Sequence, residues 1–271
     1  MKRLILSLAL PLLMTACTTN PHTGRSQLLL LGEAEETSMG AQAFAEVAKQ
    51  EPISQDPATN AAILRVGRAI AVQADLLRAK LGEGPYDWEF KVIDNPEVVN
   101  AWCLPGGKIA FYTGIFPIIE DESGMAVVMG HEVCHALLHH GNERVSQNLL
   151  AQFSLTAGDL LMADNPYRKE AMGLLGAGIN FGVMLPYSRS HETEADKLGL
   201  MLAADAGYDP EAAIRVWTNM ARMSEGQRPA EFLSTHPDPL RRIENMKEWM
   251  PEAKARFAKS KKKPNSRLPG Q

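Results

Sequence analysis

Residues 131–140 read HEVCHALLHH, four histidines in ten positions of an otherwise apolar run. On an α-helix, residues four apart differ by about 400°, so His131 and His135 share one face, separated by about 6 Å along the axis. Two imidazoles so placed can grip a single tetrahedral ion from one side. Glu132 projects about 100° away, near enough to act on water beside that ion without being a ligand. The chemistry on offer is metal-assisted hydrolysis, with His131 and His135 as ligands and Glu132 as general base. His139 continues the stripe one turn too far along to reach the same ion and His140 faces elsewhere, so both read as structural.

A hydrolytic zinc needs a third protein ligand and an open position. Residues 188–199, SRSHETEADKLG, place Glu192 and Asp196 four apart on a second predicted helix. One carboxylate can reach the metal while the other accepts a hydrogen bond from a ligand histidine and fixes its tautomer. His191 points away from Glu192 by helical geometry and is not expected to bind. Acidic pairs at this spacing are common on solvated faces, so this one gains meaning only from HEVCH before it.

The elements that must hold these residues follow from periodicity. Helical spacing begins near Ser38, and a clearer helix opens at Asp56 and Pro57, with Ile63, Val66, Ile70, Ala74 and Leu77 forming its packing stripe. Trp88, Phe90 and Val92 alternate with charged residues as in a half-buried strand. Two further strands, Val98 to Leu104 and Lys108 to Thr113, flank a turn at Pro105, Gly106 and Gly107. Helix then runs from about 124 to a stop at Gly141, with more helices near 143–162, 167–186, 190–206, 210–224 and 238–258. The predicted class is α+β, mainly helical, with a small sheet or hairpin beside the histidine helix.

The chain has 271 residues, 45% hydrophobic and 22% charged, enough for one principal domain with terminal appendages. A net charge of −4 gives no reason to expect a nucleic-acid partner. Lys2 and Arg3, the apolar run Leu4 to Met14, then Thr15, Ala16 and Cys17 read as a bacterial lipoprotein signal over 1–16, with Cys17 carrying lipid. A lipidated tether over 17–36 would then lead into the main domain at 37–258, and a basic flexible tail would close the chain over 259–271. Ala171 to Tyr187 is too short and too polar to span a bilayer. It reads as a buried helix or a segment covering the site. Cys103 and Cys134 remain, as a disulfide or as two buried free thiols; Cys134 faces away from the histidine side and is a poor ligand candidate.

Together, HEVCH, the later ETEAD, NAWCLPGGKIAFYTG at 100–114 and STHP at 234–237 resemble the gluzincin metallopeptidases of the HtpX and CAAX-prenyl-protease type. NPHTGRSQLLLL at 20–31, behind a cysteine, is most similar to their LoiP-like and BepA-like branch. The chain departs from BepA in lacking a helical-repeat domain, and from HtpX and the prenyl proteases in lacking membrane spans. The resemblance implies a zincin-like domain with one Zn2+ per chain held by His131, His135 and Glu192, with Glu132 as base and Asp196 orienting a ligand histidine. It implies that His236 can take the open metal position in a resting enzyme, and that substrate lies along the strand of Asn100, Ala101, Trp102, Cys103 and Leu104. It further implies substrates among unfolded or misassembled envelope proteins, contact with outer-membrane assembly machinery, and an outer-membrane anchor facing the periplasm. The rival reading is a non-catalytic assembly chaperone or scaffold lipoprotein stabilised by zinc.

Overall fold

In the computed structural model, which describes residues 17–161, 187–224 and 231–268, the chain opens with a short antiparallel hairpin, β1 (Cys17–Thr19) and β2 (Ser26–Leu28). Its turn is built by Asn20, whose side-chain oxygen accepts from the backbone of His22 and Thr23. The expected signal segment at 1–16 and the expected helix over 167–186 lie outside the described residues. Helix α1 (Glu33–Gln50) starts before Ser38, because Glu33, Glu35 and Glu36 suit the positive end of a helix dipole. Helix α2 (Pro57–Ala79) begins where Asp56 accepts from Thr59 N, and its stripe Ile63, Val66, Ile70 and Ala74 is buried.

The sheet has strands β3 (Glu89–Ile93), β4 (Ala101–Leu104) and β5 (Lys108–Tyr112) in the order β3-β5-β4. Strands β4 and β5 form the expected hairpin, closed by Gly106 and Gly107, both with φ of 83°. β4 is shorter than 98–104 and forms one edge of the sheet. β3 runs parallel to β5, so the sheet is mixed. A tight turn and the short helix α3 (Phe116–Ile119) lead to α4 (Glu122–Leu137), capped by Asp121 and buried along its whole length.

This buried α4 is the histidine helix, enclosed by α2, β4, α6 (Arg189–Asp205) and α7 (Ala212–Ser224). Gly141 does not stop it. The chain turns at His139, with φ of 55°, and α5 (His140–Leu161) starts at once. His139 tolerates this left-handed conformation because its Nδ1 lies 2.9 Å from buried Glu36 Oε2. After α6 and α7 come α8 (Glu231–Thr235) and α9 (Pro239–Lys259).

Residues 261–267, part of the expected basic end, have exposed side chains, while backbone contacts tie this stretch to the body. Ser266 O accepts from Glu122 N, the Arg267 backbone bridges antiparallel to that of Asp121, and Leu268 is buried. The physical reason is that the first turn of α4 has backbone N–H groups to satisfy, and the tail supplies an acceptor for one of them. Among the described residues, no helix is long and apolar enough to cross a membrane.

Candidate metal centre

His131 and His135 on α4, Glu192 on α6 and His236 just after α8 each offer one donor atom, and these atoms lie within 4.8 Å of one another. His131 Nε2 stands 3.0 Å from His135 Nε2, 3.6 Å from Glu192 Oε2 and 3.1 Å from His236 Nδ1. His135 Nε2 is 3.5 Å from Glu192 Oε1, which is 3.0 Å from His236 Nδ1. Zinc bonds of about 2.0–2.1 Å would set tetrahedral donors roughly 3.3 Å apart, so these spacings match the edges of one zinc coordination sphere. Glu132 adds a second sign of fit. Among the described residues its buried Oε1 has no hydrogen-bond partner, and it lies 3.6 Å from His236 Nε2 and 4.0 Å from His131 Nε2. A buried carboxylate oxygen left unpaired is costly unless a ligand or substrate completes it.

The electrostatics suit a cation. Burial, reinforced by Arg242, holds His131 well below the ordinary histidine range, and burial does the same for His135, so both are neutral donors. Burial raises Glu132 well above the usual carboxylate range, with the Glu192 charge adding to it. Burial also opposes ionisation of Glu192, but Arg242 and His236 beside it hold its carboxyl well below that range.

Asp196 Oδ1 lies 3.0 Å from His131 Nδ1. One turn separates it from Glu192 on α6, so the same helix delivers an anion to the site and another to its support. Both are clamped by Arg242, which the sequence reading missed. Arg242 Nε donates to Asp196 Oδ2 at 2.7 Å, its Nη1 lies 2.8 Å from Glu192 Oε2, and its guanidinium carbon sits 3.4 Å above the Trp217 ring. A signal was present: Arg242 falls on the buried stripe of Ile243, Met246 and Met250, where an arginine is out of place unless paired.

His236 is positioned from two directions. Its N–H donates to Phe232 O at 2.8 Å, and the Phe232 N–H donates to Val99 O at 3.1 Å, tying α8 to the start of β4. The Phe232 ring stacks on His236 with centroids 4.4 Å apart. Tyr187 covers the opposite side, its ring 4.0 Å from that of His135.

The other expected residues are placed as follows. Asn100 precedes β4, and Ala101, Trp102, Cys103 and Leu104 form that edge strand, which packs on α4. Cys103 and Cys134 are both free thiols, so of the two alternatives the structure has no disulfide. Cys134 is fully buried in the apolar core, and Cys103 Sγ approaches Leu104 O at 3.5 Å. Cys17 is exposed at the start of β1. His191 is hydrogen-bonded to Glu143 and is not a ligand, whereas His140, read as merely structural, reaches within 3.0 Å of His135 Nδ1.

Residues 55–250 match the model of peptidase family M48. The chain is 34% identical over 225 residues to mitochondrial metalloendopeptidase OMA1 of Schizosaccharomyces pombe, covering 82% of this chain and 63% of that protein. It is 30% identical over 259 residues to mitochondrial metalloendopeptidase OMA1 of Saccharomyces cerevisiae, covering 89% of this chain and 71% of that protein. It is 27% identical over 241 residues to the β-barrel assembly-enhancing protease of Escherichia coli O157:H7, covering 86% of this chain and 47% of that protein. The chain thus spans less than two thirds of the fission-yeast and E. coli relatives. The OMA1 relatives are mitochondrial by name, and this overturns the expectation of a lipid-anchored location in a bacterial outer membrane facing the periplasm. The comparisons also support the wider family and not an HtpX-type or LoiP-type placement within it. Its α4 and α6, with His236, bring together a His and Glu group that could hold a metal ion, and the chain belongs to peptidase family M48.

Proposed function

We propose that this chain is an endopeptidase that hydrolyses extended segments of unfolded or misassembled proteins. The observation that carries the reading is the meeting of His131, His135 and Glu192 around one point, with an unpaired Glu132 oxygen facing it. Zinc held there would supply Lewis acidity, polarising a substrate carbonyl and making water easier to deprotonate. Glu132 takes the water proton and later hands it to the leaving amine, and its burial gives it the raised basicity that both transfers need. Asp196, steadied by Arg242, keeps the His131 proton on Nδ1, so that Nε2 stays bare toward the site.

Substrate selection rests on β4. Its partner β5 covers one edge, and an added peptide strand on the other would bond through main chain, which favours extended and unfolded segments over a particular sequence. The relative named for β-barrel assembly supports misassembled barrel proteins as one substrate class. His236 Nδ1 stands at the fourth corner of the centre, so it must withdraw for substrate to enter. If it stayed, the site would be closed and purely structural, as in a zinc-stabilised scaffold. Casein degradation separates the two: an endopeptidase loses it with chelator and regains it with added zinc, and a scaffold shows none in either state.

A further inference from the structure

His135 Nδ1, the nitrogen turned away from the centre, lies 3.0 Å from His140 Nδ1. His140 Nε2 lies 3.0 Å from Glu194 Oε2, and Arg25 Nε donates to both Glu194 oxygens at 2.9 and 3.0 Å. The remaining Arg25 nitrogens donate to Glu143 at 2.8 and 2.7 Å, and Glu143 also meets His191 Nε2 and Gln27 Nε2, each at 3.0 Å. The chain of contacts therefore runs from a metal ligand on α4, through α5 and α6, to the N-terminal hairpin. His140 is fully buried along it.

The proton positions follow in order. His135 Nε2 must be bare to face a metal, so a neutral ring carries its proton on Nδ1 and donates it. His140 Nδ1 must then accept, which puts the His140 proton on Nε2, where Glu194 takes the hydrogen bond. Arg25, a permanent cation with a planar fork, keeps Glu194 facing His140. The backbone makes this meeting happen. On an unbroken helix, residues five apart would point about 140° from each other. The left-handed turn at His139, anchored to Glu36, swings His140 back onto His135.

We propose that His140 is a positioning residue for the metal ligand His135 and that Arg25 locks it, which makes the hairpin of β1 and β2 a working part of the metal centre. The region matched to the family model begins at residue 55, so this hairpin lies outside it. The inference rests on the zinc reading given above.

The test is zinc affinity, measured on the full chain by competition with a chromophoric chelator, alongside thermal midpoints in excess chelator that report the fold alone. His140→Leu should bind zinc about 10–100-fold more weakly, the range expected when a partner behind a ligand is removed. His140→Gln, whose amide can accept from His135 and donate to Glu194, should recover affinity to within a few-fold of wild type. Arg25→Met should weaken binding about tenfold and, because Glu143 and Glu194 lose their cation, also lower the midpoint in chelator while the chain still folds, and Arg256→Met, on an exposed ion pair, should change nothing. The proposal is overturned if His140→Leu binds as tightly as wild type, or if His140→Gln is as weak as His140→Leu. Should His140→Leu fail to fold, wild-type affinity in Arg25→Met overturns it and a tenfold loss supports it. A wild-type chain that binds no zinc would instead refute the metal reading beneath it.

Discussion

Gly130 and Gly199 face each other where α4 crosses α6. A Cβ on Gly199 would stand 2.6 Å from His131 N, and one on Gly130 would stand 2.6 Å from Gly199 O. Only two hydrogen side chains let these backbones approach so closely, and that approach brings Glu192 and Asp196 to the histidines. Gly199→Ala should therefore push the helices apart, with a stability loss of about 1–3 kcal/mol from overpacking and weaker zinc binding. Denaturant titration and chelator competition would read both, and a variant unchanged in either would show that the crossing has slack.

Arg242 is buried between two carboxylates, and removing it leaves both without their cation. In zinc-free protein Arg242→Met should lose about 3–5 kcal/mol, as expected for breaking a buried pair by one partner. Arg242→Lys should not restore it, because an ammonium cannot span Asp196 and Glu192 as the planar fork does. A loss under about 1 kcal/mol, the scale of an exposed pair, would contradict the arrangement.

Acid should destabilise the metal-free chain in two stages. Burial lowers His140 from 6.5 to about 4, outweighing the pull of Glu194. The unfolded chain then binds more protons between those values, so stability falls as pH drops from about 6.5 to 4. Burial pushes Glu194 up, yet hydrogen bonds from His140 and Arg25 more than offset it and hold its carboxyl at about 2 against 4.5, adding a further loss across that lower window. Thermal midpoints against pH should show both stages, and His140→Gln should flatten the upper one. A profile identical in that variant would refute the assignment.

Zinc removal should lower stability as well as activity. A ligand present at a thousand times its dissociation constant stabilises the folded state by about 4 kcal/mol, and a domain of this size shifts its midpoint by about 2–4 °C per kcal/mol. Scanning calorimetry with and without chelator should show a rise on zinc addition that Glu192→Ala reduces. Equal midpoints in both conditions would mean that no ion links α4 to α6.

The part of this centre legible in the sequence is the part governed by local helical geometry. His131, His135, Glu192 and Asp196 each sit four residues from a partner, and a helix converts that spacing into a shared face whatever surrounds it. Asp56 and Pro57 at a helix start, and Gly106 and Gly107 in a hairpin turn, are local in the same sense. What escaped depends on contacts distant in the chain. Arg242 meets Asp196 only because α9 folds across α6, and Arg25 meets Glu194 across most of the chain. The stop predicted at Gly141 fell two residues late because the chain turns at His139, whose left-handed conformation is held by Glu36 on another helix. The tail's side chains are exposed, as its composition suggests, but its backbone contact with the first turn of α4 was not legible.

The central claim is tested most directly by measuring bound zinc and casein hydrolysis together on Glu132→Gln. The amide keeps the shape of the side chain and cannot act as a base, so zinc content should stay at one per chain while hydrolysis falls by about 10²–10⁴-fold, the span ascribed to general acid–base catalysis. Wild-type hydrolysis in that variant, or loss of its zinc, would contradict the role assigned to Glu132.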